Sequence, residues 1–149
     1  MIQFISPFQQ AQKHPIWVLE DSASDREILK RAFEKAEVQN EVVFFESVAS
    51  LQLTIDAFKG AVPALTLLDM HLPNESGRDA VKLLSQHEIL KTVPSIAFSH
   101  TGSSEDISDM YALGVSSFIK KSLSFEETLD MVKSLKNYWL ESVILPAVI

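Results

Sequence analysis

The apolar run Ala64-Leu65-Thr66-Leu67-Leu68 leads directly into Asp69, and Met70-His71-Leu72-Pro73-Asn74-Glu75-Ser76-Gly77 follows with turn-forming residues. A short continuous apolar run bounded by turn signals predicts a strand buried on both faces, as in a parallel sheet. A carboxylate at the end of such a strand stands at the rim of the sheet, where open α/β folds place their chemistry. A second run, Ile16-Trp17-Val18-Leu19, ends the same way in Glu20-Asp21. Two buried strands that deliver acid to one rim make an anionic pocket, and such a pocket calls for a metal.

The remaining segments alternate between the two periodicities. Strand one covers 16–20. A helix follows from about Ser24, where Ser24-Asp25-Arg26-Glu27 has the form of a capping box. Its apolar positions Ile28, Leu29, Ala32, Phe33 and Ala36 recur at helical spacing. Val42-Val43-Phe44-Phe45 is a second strand, and a helix over roughly 48–58 carries Leu51, Ile55 and Phe58 inward. Strand three, 64–68, precedes a helix from Ser76 or Gly77 with Ala80, Val81, Leu83 and Leu84 on its apolar face. Pro94-Ser95-Ile96-Ala97-Phe98 is strand four, ending in Ser99-His100. A helix from Ser104 to Leu113 stops at Gly114. Ser117-Phe118-Ile119 is a short fifth strand. The last helix opens with the capping-box pattern Ser124-Phe125-Glu126-Glu127 and runs through Leu129, Val132, Leu135 and Trp139 to near Pro146. Five strands alternating with five helices predict an α/β fold, a parallel sheet with helices on both faces. The expected organisation is an irregular extension over 1–13, one domain over 14–137, and a helix end with an apolar tail over 138–149.

The chain has 149 residues, 46% of them hydrophobic, enough for one domain with a real core. Thirteen basic against twenty acidic residues give a net charge of −7. That balance argues against a nucleic-acid surface, which needs clustered Lys and Arg. With no cysteine, disulfides and thiolate metal sites are excluded. The N-terminus lacks the pattern of a signal peptide, and no segment approaches the ~20 apolar residues of a membrane span. The expected setting is the cytoplasm, without membrane attachment.

These residues together are similar to a known family. Over about residues 14–137 the chain resembles the receiver domain of bacterial two-component response regulators. The resemblance rests on Glu20-Asp21 after strand one, Asp69 after strand three, Pro73 and Gly77 beyond it, Ser99 after strand four, and Lys121 after strand five. Each feature is weak by itself; their order at the ends of alternate elements is specific. The resemblance implies a flavodoxin-like, five-stranded parallel sheet of order 2-1-3-4-5.

It also implies roles. Asp69 would be the nucleophile that accepts a phosphoryl group from a sensor histidine kinase. Glu20, Asp21, Asp69 and the backbone carbonyl of His71 would hold Mg²⁺, since clustered carboxylates repel one another and oxygen-only ligands suit a hard cation. Lys121 would supply a second positive charge; its neighbour Lys120 competes for that role, and counting from Gly114 and Phe118 favours Lys121. Ser99 would donate its hydroxyl to the phosphoryl group, and Phe118, at the aromatic switch position, would rotate as the Ser99 loop moves. Such a protein catalyses only its own phosphorylation and dephosphorylation and is not classed as an enzyme.

Three residues depart from the family pattern: Ser122, His100, and Ser99, which replaces the commoner threonine and preserves its hydroxyl. Ser122 stands where a proline usually follows the lysine, so the preceding peptide bond, often cis in the family, is either trans here or held cis by its surroundings. His100 is bulky where small residues leave the site open. His71, two beyond Asp69, occupies a position that in the family tunes dephosphorylation. Ser122 and His100 motivate an alternative, a degenerate receiver that acts as a dimeric binding module without phosphorylation.

No output domain is recognisable, so output is expected through contacts of the domain itself. The segment Val143-Ile144-Leu145-Pro146-Ala147-Val148-Ile149 is apolar throughout. It either folds back on its own domain or covers a second copy, and symmetric dimers are the commonest oligomer. Tyr138-Trp139-Leu140-Glu141 followed by Val143 to Pro146 resembles the C-terminal extension of single-domain response regulators that partner bacterial phytochrome kinases. That narrower resemblance implies a homodimer through Tyr138, Trp139, Val143, Ile144 and Leu145.

Overall fold

The computed structural model describes residues 10–122 and 124–148, with the side chain of Val148 excepted. In chain order the elements are β1 Ile16–Leu19, α1 Ala23–Lys35, β2 Val42–Phe45, α2 Val48–Asp56 and β3 Leu65–Asp69. A hairpin of β4 His71–Leu72 and β5 Glu75–Ser76 leads into α3 Gly77–Gln86. Then come a 3₁₀ turn at Leu90–Thr92, β6 Ser95–Ser99, α4 Ser104–Leu113, β7 Ser117–Lys120 and α5 Phe125–Leu135. The main sheet is parallel throughout, in the order β2-β1-β3-β6-β7. Counting only its own strands, this is the expected 2-1-3-4-5 arrangement, with the reversal of strand order between β1 and β3. Among the described residues no helix is long and apolar enough to cross a membrane.

The pleat sorts the core into two layers, because alternate side chains of a strand face opposite sides. Ile16, Val18, Leu65, Leu67, Ile96 and Phe98 pack under α1 and α5 with Leu29, Phe33 and Val132. Trp17, Leu19, Leu68 and Ala97 pack on the other side with Leu51, Ile55, Val81, Leu84 and Met110. Thr66 and Ser95 are buried polar residues in this sheet, and Thr66 Oγ1 donates to Ser95 Oγ at 3.0 Å. Each hydroxyl therefore has a partner without disturbing the ladder.

Helix starts differ in detail from the sequence expectation. The cap of α1 is Ser22, whose hydroxyl accepts from Asp25 N at 3.3 Å, so the helix begins before the expected Ser24. At α5, Ser124 Oγ accepts from Glu127 N at 3.1 Å, but the Glu127 carboxylate turns outward to accept from Ser122 Oγ at 2.7 Å. Only half of the expected box forms there. Gly114 closes α4 at φ +111°, a left-handed conformation that favours glycine. The β4–β5 hairpin was not legible as strands; Asn74, at φ 61°, makes its turn.

After α5 the chain continues as a π-helical segment, Lys136–Ser142, and a 3₁₀ turn, Pro146–Val148. Lys136 Nζ donates to the carbonyl of Ala36, the C-cap of α1, at 3.0 Å, placing a cation at the negative end of that helix. Leu140 and Leu145 are buried in the chain's own core, and Trp139 and Val143 pack against it half-buried. Of the five residues expected to face a second copy, the domain itself thus encloses Leu145. Tyr138 and Ile144 remain exposed, at 52% and 66%. Of the expected N-terminal extension, residues 1–9 lie outside the described residues, whereas Ala11 is buried. Asn40 Nδ2 donates to the carbonyls of Ala11 and His14, both at 2.8 Å, and fixes the approach to β1.

Candidate functional site

Pairing at the C-terminal edge of the sheet carries on past the strands and sets the site. Glu20 N donates to Phe45 O at 2.9 Å, Met70 N to Phe98 O at 3.0 Å, and Lys121 N to Ser99 O at 2.7 Å. Each bond extends a parallel ladder by one step, so Glu20, Asp69, Ser99 and Lys121 have backbones held as firmly as the sheet. Arg26, from the first turns of α1, donates to the carbonyls of Glu20 and Asp21, both at 2.9 Å, and pairs with Glu46 at 3.3 Å. Gly77 lets α3 approach the end of β3: a Cβ there would lie 2.4 Å from Asp69 O and 2.8 Å from Met70 Cα. Both are backbone atoms that cannot give way. Glu75 Oε1 accepts from Val48 N at 2.8 Å, tying the hairpin after Asp69 to the start of α2.

The acidic side chains converge. Carboxylate oxygens of Glu20, Asp21 and Asp69 lie within 4.8 Å of one another, with Glu20 and Asp69 buried and Asp21 partly exposed. Oxygen donors at this spacing, with one side open to solvent, fit a hard divalent cation that keeps part of its water. Lys121 reaches into the same cluster. Its Nζ contacts Glu20 Oε1, and lies 2.8 Å from Asp25 Oδ2 and 3.3 Å from Asp69 Oδ2. The Nζ also stands 5.2 Å from the centre of the Phe98 ring. Of the two neighbouring lysines, Lys121 enters the cluster, and Lys120 is exposed.

Electrostatics follow the burial. Burial, with hydrogen bonding to Asp69, pushes the Glu20 carboxyl up to about 8, against the lowering by Lys121. For Lys121, burial pulls downward, but its bonds to Asp25 and Glu20 and the charge of Asp69 outweigh it and hold the ammonium above its ordinary range. The lysine therefore stays charged across the neutral range.

Asp69 Oδ1 accepts from His71 N at 3.0 Å. The His71 ring crosses to the loop after β6, where Nε2 lies 3.2 Å from both the carbonyl and Oγ1 of Thr101. Ser99 Oγ donates to that same Thr101 carbonyl and accepts from Thr101 N at 3.2 Å. Phe118 is half-buried in β7; its N donates to Tyr111 Oη at 3.0 Å. It borders a cavity of about 230 Å³ shared with Met70, Leu72 and Met110. His100 is exposed and borders a second cavity, of about 150 Å³, beside Lys121. No peptide bond among the described residues is cis, so the bond before Ser122 is trans, which decides between the two possibilities left open by the sequence.

Asp25, Arg26 and Thr101 enter the site without having been singled out in the sequence. Asp25 follows Asp21 by four positions and falls in the first turn of α1, where it meets Lys121. That spacing was the available signal. Thr101 gave none, because its contact partner His71 is remote in sequence.

The family model for the response regulator receiver domain matches residues 16–133. The response regulator Rcp1 of Synechocystis sp. (strain ATCC 27184 / PCC 6803 / Kazusa) is 27% identical over 136 residues, spanning 89% of this chain and 92% of its own. The crystal structure of a phosphorylated cyanobacterial phytochrome response regulator, RcpA, superimposes with a TM-score of 0.80 at 27% identity, covering 90% of this chain and 99% of that one. The Mn²⁺-bound form of Rcp1 gives a TM-score of 0.78 at 25% identity over the same shares. With a family match across all five strands and relatives aligned along nearly their whole length, this chain belongs to the response regulator receiver domain family and is related to phytochrome response regulators.

Proposed function

We propose that this protein is a single-domain response regulator that takes a phosphoryl group from a sensor histidine kinase, one paired with a phytochrome, onto Asp69. The observation that carries this is the meeting of Asp69 with Glu20, Asp21 and Lys121 at one sheet edge. An Asp69 oxygen bonds to phosphorus as the phosphorus–nitrogen bond of the donor histidine breaks, and the electron pair stays on the imidazole nitrogen. Glu20, Asp21, Asp69 and the His71 carbonyl would hold Mg²⁺, which would neutralise charge on the carboxylate and phosphoryl oxygens. Lys121 brings a second cation to those oxygens.

Ser99 and Phe118 turn the event into a signal. The Ser99 hydroxyl, now donating to Thr101, redirects to a phosphoryl oxygen, a bond available only in the phosphorylated state. Such differential bonding is what shifts a conformational equilibrium. The cavity beside Phe118 gives its ring somewhere to go. Output passes through protein contacts in the cytoplasm, and the protein has no turnover substrate. A homodimer uses the exposed side of the C-terminal segment, Tyr138 and Ile144 with Trp139 and Val143; Leu145 joins it if the arms exchange.

Phosphotransfer from candidate kinases, or from acetyl phosphate with Mg²⁺, tests the reading against Asp69→Asn. Labelled wild type and unlabelled Asp69→Asn support it. Label persisting on the variant moves the acceptor elsewhere, and an inert wild type favours the degenerate receiver.

A further inference from the structure

Lys121 carries three N–H donors and meets three carboxylates: Glu20, Asp25 and Asp69. Two of these belong to the cluster that fits a cation; Asp25 does not. A divalent ion on Glu20 and Asp69 would compete with the ammonium for their oxygens and repel it. Asp25 is then the one partner the ion leaves to Lys121. Its geometry suits that duty. Asp25 sits in the first turn of α1, its N bonded to the Ser22 cap, on a helix fixed to the sheet by the buried Leu29, Ala32 and Phe33. Its contact with Nζ, at 2.8 Å, is shorter than that of Asp69, at 3.3 Å. Lysine has a long flexible stem, so an ammonium without an anchor samples many positions.

We propose that Asp25 is a positioning residue for Lys121: it holds one N–H of the ammonium and leaves the other two aimed at the phosphoryl oxygens. This rests on the reading of Asp69 as phosphoryl acceptor. A merely structural Asp25 would serve only as the favourable acid of a helix first turn.

The test uses the full chain and acetyl phosphate, in which the phosphorus–oxygen bond to the acetyl group breaks, acetate leaves, and a bond forms to an Asp69 oxygen. For Asp25→Asn we expect Mg²⁺ half-saturation by calorimetry to be unchanged and the phosphorylation rate at saturating Mg²⁺ and donor to fall about tenfold, the scale of one hydrogen bond to a charged group. Asp25→Glu restores most of the rate. In a Lys121→Met background, Asp25→Asn has no further effect, because the residue acts through the lysine. The proposal is overturned if Asp25→Asn keeps the wild-type rate, if its loss persists beside Lys121→Met, or if Mg²⁺ affinity falls in parallel. A wild type that takes up no phosphoryl group overturns the Asp69 reading along with it, an outcome distinct from the other three.

Discussion

Lys121 and Glu20 are joined across the sheet edge by a direct contact between Nζ and a carboxyl group that is wholly buried. The pair is part of a larger balance in which one ammonium answers Glu20, Asp25 and Asp69. Its removal is therefore the most direct probe of how the cluster is held together.

Lys121→Met leaves buried carboxylates without their cation, and breaking a buried pair from one side costs on the order of 3 kcal/mol. Urea denaturation in the absence of divalent ions should show a loss of that scale above pH 8, where Glu20 is ionised. Added Mg²⁺ should recover part of it, since an ion held by Glu20, Asp21 and Asp69 supplies the missing charge. Equal losses with and without Mg²⁺ would remove the cluster as its binding site.

The raised pKa of Glu20 gives metal-free stability a definite pH dependence. Between its ordinary 4.5 and about 8 the folded protein holds a proton that the unfolded chain has released. Stability from this group is full below 4.5 and is lost as pH rises through about 8. The slope is at most about 1.4 kcal/mol per pH unit, the weight of one proton. Thermal melts in chelator should accordingly fall across this window, and Glu20→Gln should flatten that fall. Mg²⁺ binding should release up to one proton here and tighten toward pH 8, which calorimetry in buffers of different ionisation enthalpy measures.

The architecture was legible because buried runs, caps and glycine stops all agreed on the same alternation, and the sheet order followed from the family signature. Lys121 could be told from Lys120 only by counting from Gly114 and Phe118, since both are lysines at a strand end; of the two, Lys121 meets the acidic cluster, its N bonded to Ser99 O. Asp25 lies between Ser24 and Glu27, the two residues of the capping-box pattern, which conceals it; the actual cap, Ser22, makes Asp25 a residue of the first helical turn. The His71–Thr101 contact joins loops whose meeting depends on the sheet having formed, so no local pattern records it. The apolar tail carries the same composition whether it covers its own domain or another, and only packing puts Leu145 inside.

That loop contact is itself open to test. His71 Nε2 and Ser99 Oγ both meet the Thr101 carbonyl, which engages the Ser99 hydroxyl. His71→Ala removes one of the two ties, and a neutral hydrogen bond is worth about 1 kcal/mol, or roughly fivefold in an equilibrium. Affinity for beryllofluoride with Mg²⁺ should rise by that factor as the loop is released. A weaker affinity would mean that the His71 ring supports the bound state instead.

The tail separates intramolecular from intermolecular packing through two adjacent residues. Leu145 is 1% exposed in the single chain and Ile144 is 66% exposed. Truncating a buried leucine to alanine costs about 2–5 kcal/mol, so Leu145→Ala should lower the denaturation midpoint of a dilute sample by that measure. Ile144→Glu places charge on a surface already wet and should leave that midpoint within about 0.5 kcal/mol of wild type. Should copies associate through this face, the same Ile144→Glu must bury an unpaired carboxylate and shift sedimentation toward the monomer. A wild type that sediments as a monomer at all concentrations would confine the tail to the role the single chain already gives it, that of closing the core beneath α1 and α5.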